Sequence, residues 1–397
     1  MNISEQVNTL VQSVYEDVVK WRRFLHANPE LSFQEVNTSQ FVYDTLLTFG
    51  DMEVSRPTKT SVVARLVGVR PGKTLALRAD MDALPIVEET GLDFASTKHG
   101  VMHACGHDGH TAILLGVARV LTQLRTYLAG EVRFVFQHAE ESHPGGAVEL
   151  VRSGVMDGVD YIVGLHLWSL YDVGEVHVSA GYTTASSDRF NITIIGQGGH
   201  ASMPHDTVDS VAIAAQVISN LQHIVSRNVD PLKSLVISVT KVQAGDGYNV
   251  IPPTVTIGGT VRAFDQDVLE SVPKWLERTV RGVTAAHGAT YQFEYRKGYA
   301  PVVNDPALTE KVRQTLTQVF GTSAVRNARP IPIGEDFSGY LQKAPGSFIW
   351  VGAGDPKKGT MYPHHHPRFW IDERSLAIGM KALANIAFKI LNESEGV

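Results

Sequence analysis

Near the start of the chain apolar side chains recur at intervals of three and four: Val7, Leu10, Val11, Val14, Val18, Trp21 and Leu25. That spacing predicts an amphipathic helix. A second helix is expected over about residues 34–49, ended by Gly50-Asp51. Strand-like and helix-like runs then alternate. "TSVVARL" and "KTLALRAD" read as strands, "TAILLGVARVLTQL" as a helix apolar on nearly all sides, "EVRFVFQ" as a strand, "GGAVELVRSG" as a short helix and "DYIVGLHLW" as a strand. Apolar strands alternating with helices imply an α/β layer with a largely buried, mostly parallel central sheet flanked by helices.

The rhythm changes after about residue 182. "DRFNITIIGQGG", "SLVISVTKVQAG", "TVTIGGTVRAF" and "TYQFEYR" alternate in polarity as half-exposed strands do, beside a helix in "VDSVAIAAQVISNLQHIV" and another near 267–287. This is the pattern of a smaller α+β domain. From about residue 300 the first style resumes: a helix near 305–320, the strand "SFIWVGA" and a last helix near 373–393.

Composition narrows the classes. A chain of 397 residues exceeds the usual size of one core, so two domains are expected. A net charge of −6 and the lack of any Lys/Arg-rich run argue against a nucleic-acid partner. No stretch approaches the roughly 18 apolar residues of a membrane span, and "MNISEQVNTLVQSVYEDVVKW" lacks the basic and apolar regions of a secretory signal. One cysteine excludes a disulfide framework and fits a reducing compartment, so a cytoplasmic location is expected.

That cysteine sits in "MHACGHDGHTA". In extended backbone Cys105 and His107, two positions apart, face one side and can converge; Asp108 is a candidate cap for the helix that follows. Alone, the pair is weak evidence, since a free cysteine is most often just buried. Other polar clusters fall where expected strands end: Asp80 and Asp82 after "LALRAD", Glu140 and Glu141 after "EVRFVFQ", and His166 at the end of "DYIVGLHLW". Reactive groups in α/β sheets gather at the carboxyl ends of strands. Each cluster has an ordinary explanation, but one metal centre explains them together. Near the end, "MYPHHHPRFWIDE" offers His364, His365 and His366, at least one of which is expected to join the centre. Its return to the first domain makes residues 183–296 an insertion between catalytic segments 1–182 and 297–397.

The stretches "RRFLHANPELSFQE", "RADMDALP", "HACGHDGHTA", "AEE", "GQGGHASMPH", "NVIPPTVTIGGTVRAF", "GEDFSGY" and "HHPRF" run in this order along nearly the whole chain. In them the chain resembles the M20 metallopeptidase family, in the amidohydrolase branch of aminoacylase-like, hippurate-hydrolase-like and auxin-conjugate-hydrolase-like enzymes. The resemblance implies metal ligation by Cys105, His107, Glu141, His166 and His365, with Glu140 as general base and Asp82 orienting a ligand. Asp80 stands where sister branches carry a metal-binding histidine. The resemblance also implies a lid domain that mediates dimerisation, giving a homodimer or homotetramer, and makes His200 a lid histidine reaching the partner subunit's site. His138 departs from the family's Q-P-x-E-E, and Trp370 stands where aspartate is common.

Five protein ligands exceed the four of a single structural zinc and point to two divalent cations about 3.5–4 Å apart. Zinc, manganese, cobalt and nickel all remain open. The pair would hold Cys105 as thiolate and lower the pKa of a bound water. Glu140 would take the proton of that water and pass it to the leaving amine. Asn249 and Arg262 are candidates for gripping a substrate carboxylate. The expected reaction is hydrolysis of a small-molecule N-acyl amino acid, with a dipeptidase or carboxypeptidase as runner-up. A covalent Cys105 nucleophile and a non-catalytic binding protein are the alternatives of other kinds.

Overall fold

In a computed structural model, residues 2–393 are described. Residue 1 and residues 394–397, which belong to the two expected catalytic segments, lie outside the described residues. The chain divides into two compact units: Met1–Thr183 with Val302–Arg329 and Asp336–Val397, and Thr184–Pro301 with Pro330–Glu335.

The larger unit is built on an eight-stranded sheet. Its four central strands, Ala129–Gln137, Arg70–Asp80, Tyr161–Asp172 and Gly346–Gly354, lie side by side and parallel. Val62–Val67 and then Glu53–Ser55 extend one side antiparallel. Val176–His177 and Val325–Arg326 finish the other. The central strands are buried along most of their length, as parallel strands covered on both faces must be. Side chains alternate between faces. Leu165, Leu167, Ile349 and Val351 join the core shared with the helices, while His166, Trp168 and Trp350 cluster together on the alternate face.

Three helices pack together over that core: Ile3–Ala27, His107–Gln123 and Arg374–Asn392. The first begins in a capping box, Asn2 accepting from the Glu5 amide while the Glu5 side chain accepts from the Asn2 amide. It therefore starts before the apolar period does. The middle helix is buried along nearly its whole length, as its all-round apolar sequence implies. Among the described residues no helix is long and apolar enough to cross a membrane.

The smaller unit carries a four-stranded antiparallel sheet in the order Leu235–Gln243, Thr254–Ala263, Asp188–Ile195, Thr290–Arg296. Helices Ser210–His223 and Gln266–Ala286 share one apolar core with it. Both start at an aspartate, Asp209 and Asp265, whose side chain accepts from first-turn amides. Alternate burial along Asp188–Ile195 and Thr290–Arg296 leaves the far face more open. The two units are thus an α/β layer and an α+β layer.

Close helix packing depends on Gly116, where an added Cβ would meet the Met380 sulfur and come within 2.8 Å of Val18 Cγ2. Met380 can turn aside, but β-branched Val18 is stiff in a helix. Gly116→Ala should therefore lower stability by about 1–3 kcal/mol through overpacking, outweighing its gain in helix propensity. Urea denaturation followed by circular dichroism checks this; an unchanged or raised midpoint would show that the three helices can move apart without cost.

Candidate metal centre

Cys105 precedes the helix His107–Gln123, and His107 is that helix's first residue. The pair does not converge through extended backbone. Gly106 adopts φ +92° at the junction, a left-handed turn that a side chain would oppose, and the reversal sets the thiol beside the helix start. Nor does Asp108 cap this helix, since no side-chain cap bond is present. Its Oδ2 accepts instead from Arg22 Nε at 2.7 Å and faces His26 Nδ1 at 2.8 Å, tying the helix start to the opening helix.

Asp80 ends its strand and Asp82 lies two residues beyond; Glu140 and Glu141 follow the strand that ends at Gln137. His166 lies mid-strand rather than at a strand end, because Tyr161–Asp172 continues past the apolar run. Three groups wholly inside the larger unit bring potential ligand atoms within 4.8 Å of one another: Cys105, His107 and Glu141; Cys105, His166 and His364; Asp80, His107 and His110.

Hydrogen bonds sort the histidines. A carbonyl only accepts, so His107 Nδ1, 2.9 Å from the Asp82 carbonyl and 3.2 Å from its carboxylate, carries a hydrogen and leaves Nε2 facing the cluster. His166 Nδ1 likewise donates to the Leu167 carbonyl at 2.9 Å, which turns Nε2 to Cys105 Sγ at 3.5 Å. His110 is different. Its Nε2 accepts from the Leu167 amide at 2.8 Å, so Nδ1 donates to Asp80 at 2.6 Å and both nitrogens are engaged. His364 Nε2 accepts from the Ser169 amide at 3.3 Å, and its ring stacks on Trp168 with centroids 4.2 Å apart. His365 has φ +65°, and its amide donates to the Ala104 carbonyl at 2.8 Å. Its Nε2 lies 3.2 Å from Glu141 Oε1. Glu141 Oε1 is buried, and the contact falls short of an aligned hydrogen bond, though the carboxylate still raises the pKa of the His365 imidazole.

Asp80 is held on both sides. Arg78 donates to it at 2.6 Å and to Asp336 at 2.9 Å, and Gln137 binds Arg78 and Asp336 in turn. This buried network and the His110 lock were not singled out from sequence. Arg78 and Asp336 are 258 residues apart, beyond any local pattern, though both lie in the quoted motifs.

Burial first, then the carboxylates of Glu141, Glu140 and Asp80, push the Cys105 thiol well above its ordinary range. For His107 burial acts against the charge, but Asp80 and Asp82 outweigh it and raise the imidazole to about 10. His166 is held well below its usual value by burial and by His110. A thiol raised by burial and by neighbouring carboxylates is the reverse of an activated cysteine nucleophile. The side chains fit cations instead: a sulfur, two imidazole Nε2 atoms turned inward by Nδ1 bonds to carbonyls, and a carboxylate oxygen without an aligned hydrogen bond converge there.

His200, Asn249 and Arg262 belong to the smaller unit. His200 pairs with Val250 across a short ribbon, the Ala201 amide donates to the Asn249 carbonyl at 3.0 Å, and the His200 ring lies 2.7 Å from Ser202 Oγ. Arg262, in Thr254–Ala263, donates to the Val261 carbonyl at 3.0 Å. Burial and neighbouring Arg189 hold its pKa below the usual.

Residues 76–389 match peptidase family M20/M25/M40. An N-acyl-L-amino acid amidohydrolase of Geobacillus stearothermophilus is 59% identical over 300 residues, covering 76% of this chain and 81% of its own. Thermostable carboxypeptidase 1 of Saccharolobus solfataricus is 39% identical over 396 residues, covering 99% and 100%. The crystal structure of the YxeP protein of Bacillus subtilis, described as a dinuclear metal binding peptidase of family M20, superposes with a TM-score of 0.84 at 37% identity, covering 96% of this chain and 99% of that one. The ordered motifs, the fold and these matches agree: the chain belongs to peptidase family M20/M25/M40.

Proposed function

We propose that the protein is a metal-dependent amidohydrolase that cleaves N-acyl amino acids to a carboxylic acid and a free amino acid. The observation that carries this reading is the buried Glu141 Oε1, without a hydrogen bond and grouped with Cys105 and His107. Cys105, His107, Glu141, His166 and His365 would hold two divalent cations. His365 is favoured over His364 because its Nε2 lies beside Glu141 Oε1, whereas His364 Nε2 accepts from the backbone. When bound, the cations supply Lewis acidity and a lowered pKa for water.

The rest is done by the chain itself. Asp82 receives the His107 Nδ1 hydrogen and so aims the ring. Glu140, next to Glu141 and nearly buried, takes a proton from the attacking water and delivers it to the amine nitrogen as the C–N bond breaks. The relative of 59% identity acts on N-acyl-L-amino acids by its name, which supports this substrate class over the carboxypeptidase reading. We assign the smaller unit, which interrupts the larger one in sequence, as a lid and dimerisation domain. Its edge strand Leu235–Gln243 exposes Val236 and Val242, apolar surface suited to a second copy. In the dimer or tetramer His200 would serve the partner's site. Asn249 and Arg262 would bind the substrate carboxylate, Arg262 having no carboxylate hydrogen bond of its own among the described residues.

Acetyl- and benzoyl-amino acids assayed beside dipeptides, with manganese, cobalt or zinc added, test the reaction. Hydrolysis of the acyl amino acids is expected, abolished by chelation and restored by metal. Turnover of dipeptides alone would move the assignment to a dipeptidase, and chelator-resistant turnover would remove the metal.

The protonated state of the metal-free centre adds a pH dependence. His107 is raised from about 6.5 to about 10, so the stability it contributes is fully present below the unfolded value and is lost as pH rises through the folded one. Cys105, also raised, acts in the same direction at higher pH. Chelated protein should therefore show a denaturation midpoint that falls through the alkaline range, and His107→Ala should flatten that fall. An unaltered slope in the variant would show that His107 is not the group responsible.

A further inference from the structure

Glu35 closes the motif "SFQE" and is completely buried, yet neither ligation nor proton transfer uses it. It is the N-cap residue of the helix Val36–Leu47, but its side chain makes no cap bond there. Its carboxylate turns instead to the loop that carries Glu140. Oε1 accepts from the Ala139 amide at 2.8 Å and from the Phe33 amide at 3.0 Å, while Oε2 accepts from Thr60 Oγ1 at 2.9 Å.

Ala139 is fully buried and has φ +51°, a left-handed conformation that alanine resists and that needs outside support. Both its backbone groups are held: the amide by Glu35, and the carbonyl by the Gly146 amide at 3.1 Å. On the far side of Glu140, the Glu141 amide donates to Asp82 Oδ2 at 2.9 Å, which also accepts from Ser32 Oγ at 2.7 Å. Two buried carboxylates thus grip the amides that flank Glu140.

We propose that Glu35 is a positioning residue for the general base: by accepting the Ala139 amide hydrogen it holds the left-handed turn that presents Glu140. This rests on the assignment of Glu140 above. The bond acts through geometry rather than charge. Burial, with Asp82 nearby, lifts the Glu35 carboxyl to about 7, so it is readily neutral while its carbonyl oxygen still accepts.

Three variants separate geometry from charge. Glu35→Gln keeps the length and an accepting oxygen but loses the charge. Glu35→Asp keeps the charge but draws the acceptor back by one methylene. Glu35→Asp with Ala139→Gly lets the turn form without strain. Each is compared with wild type in kcat, KM, bound metal and hydrogen exchange over residues 137–142. Glu35→Asp is expected to lose about 100-fold in kcat, with KM and metal content close to wild type and faster exchange at 137–142. Glu35→Gln should stay within about tenfold of wild type, and Ala139→Gly should restore several-fold of the Glu35→Asp loss. Asp active with Gln inactive would overturn the proposal in favour of charge, and equal losses without a change in exchange would overturn it by showing that the bond does not hold the turn. Should wild-type protein hydrolyse no N-acyl amino acid, the substrate assignment fails, while exchange in the two Glu35 variants still decides whether this bond holds the turn.

Discussion

A carboxylate oxygen taken out of water without a donor costs more than most folds tolerate. Glu141 Oε1 comes near that state: it is buried and without an aligned hydrogen bond, with the His365 and His107 imidazole nitrogens 3.2 and 4.0 Å away. The larger unit is arranged around this cost. Asp80 is anchored by Arg78 and His110, Asp82 by Ser32 and the Glu141 amide, and Glu35 by Thr60 and two backbone amides. With those carboxylates satisfied, the groups left facing one another are a sulfur, two imidazole nitrogens and Glu141. Cations are what such a set can accept.

The scaffold supplies precision by backbone rather than by packing alone. Gly106, Ala139 and His365 all have positive φ, and each lies beside or within the cluster. Each is a local left-handed turn in the backbone at or next to a candidate ligand or the general base. Tautomers add a second layer of control. The Leu167 carbonyl fixes His166 as a lone-pair donor, while the amide of the same residue occupies His110 and withdraws it from ligation. Neighbouring imidazoles thereby take different roles from one stretch of strand backbone.

Much of this was legible in the amino-acid sequence. The period of Val7 to Leu25 and the apolar runs around Arg78, Phe134 and Leu165 place the helices and central strands within a few residues, because each buries a full face. Short edge pieces such as Glu53–Ser55 have no period to read. His166 was expected at a strand end because apolar character stops near Trp168, whereas pairing with Gly346–Gly354 carries the strand through Asp172. The ligand candidates Cys105, His107 and Glu141 could be read from residue type and order, and they do cluster. The supports could not. Glu35, Arg78 and Asp336 carry no periodicity, and their meaning lies in long-range bonds: Glu35 to Ala139, Arg78 to Asp336 and Asp336 to Gln137.

X-ray absorption at the metal edge of protein loaded with a single metal, compared with Cys105→Ser, examines the centre most directly. The expected result is a sulfur scatterer, at about 2.3 Å if the metal is zinc, together with nitrogen and oxygen neighbours, the sulfur vanishing in the variant. A shell of nitrogen and oxygen alone in the unaltered protein, or no bound metal at any loading, would contradict a centre built on Cys105.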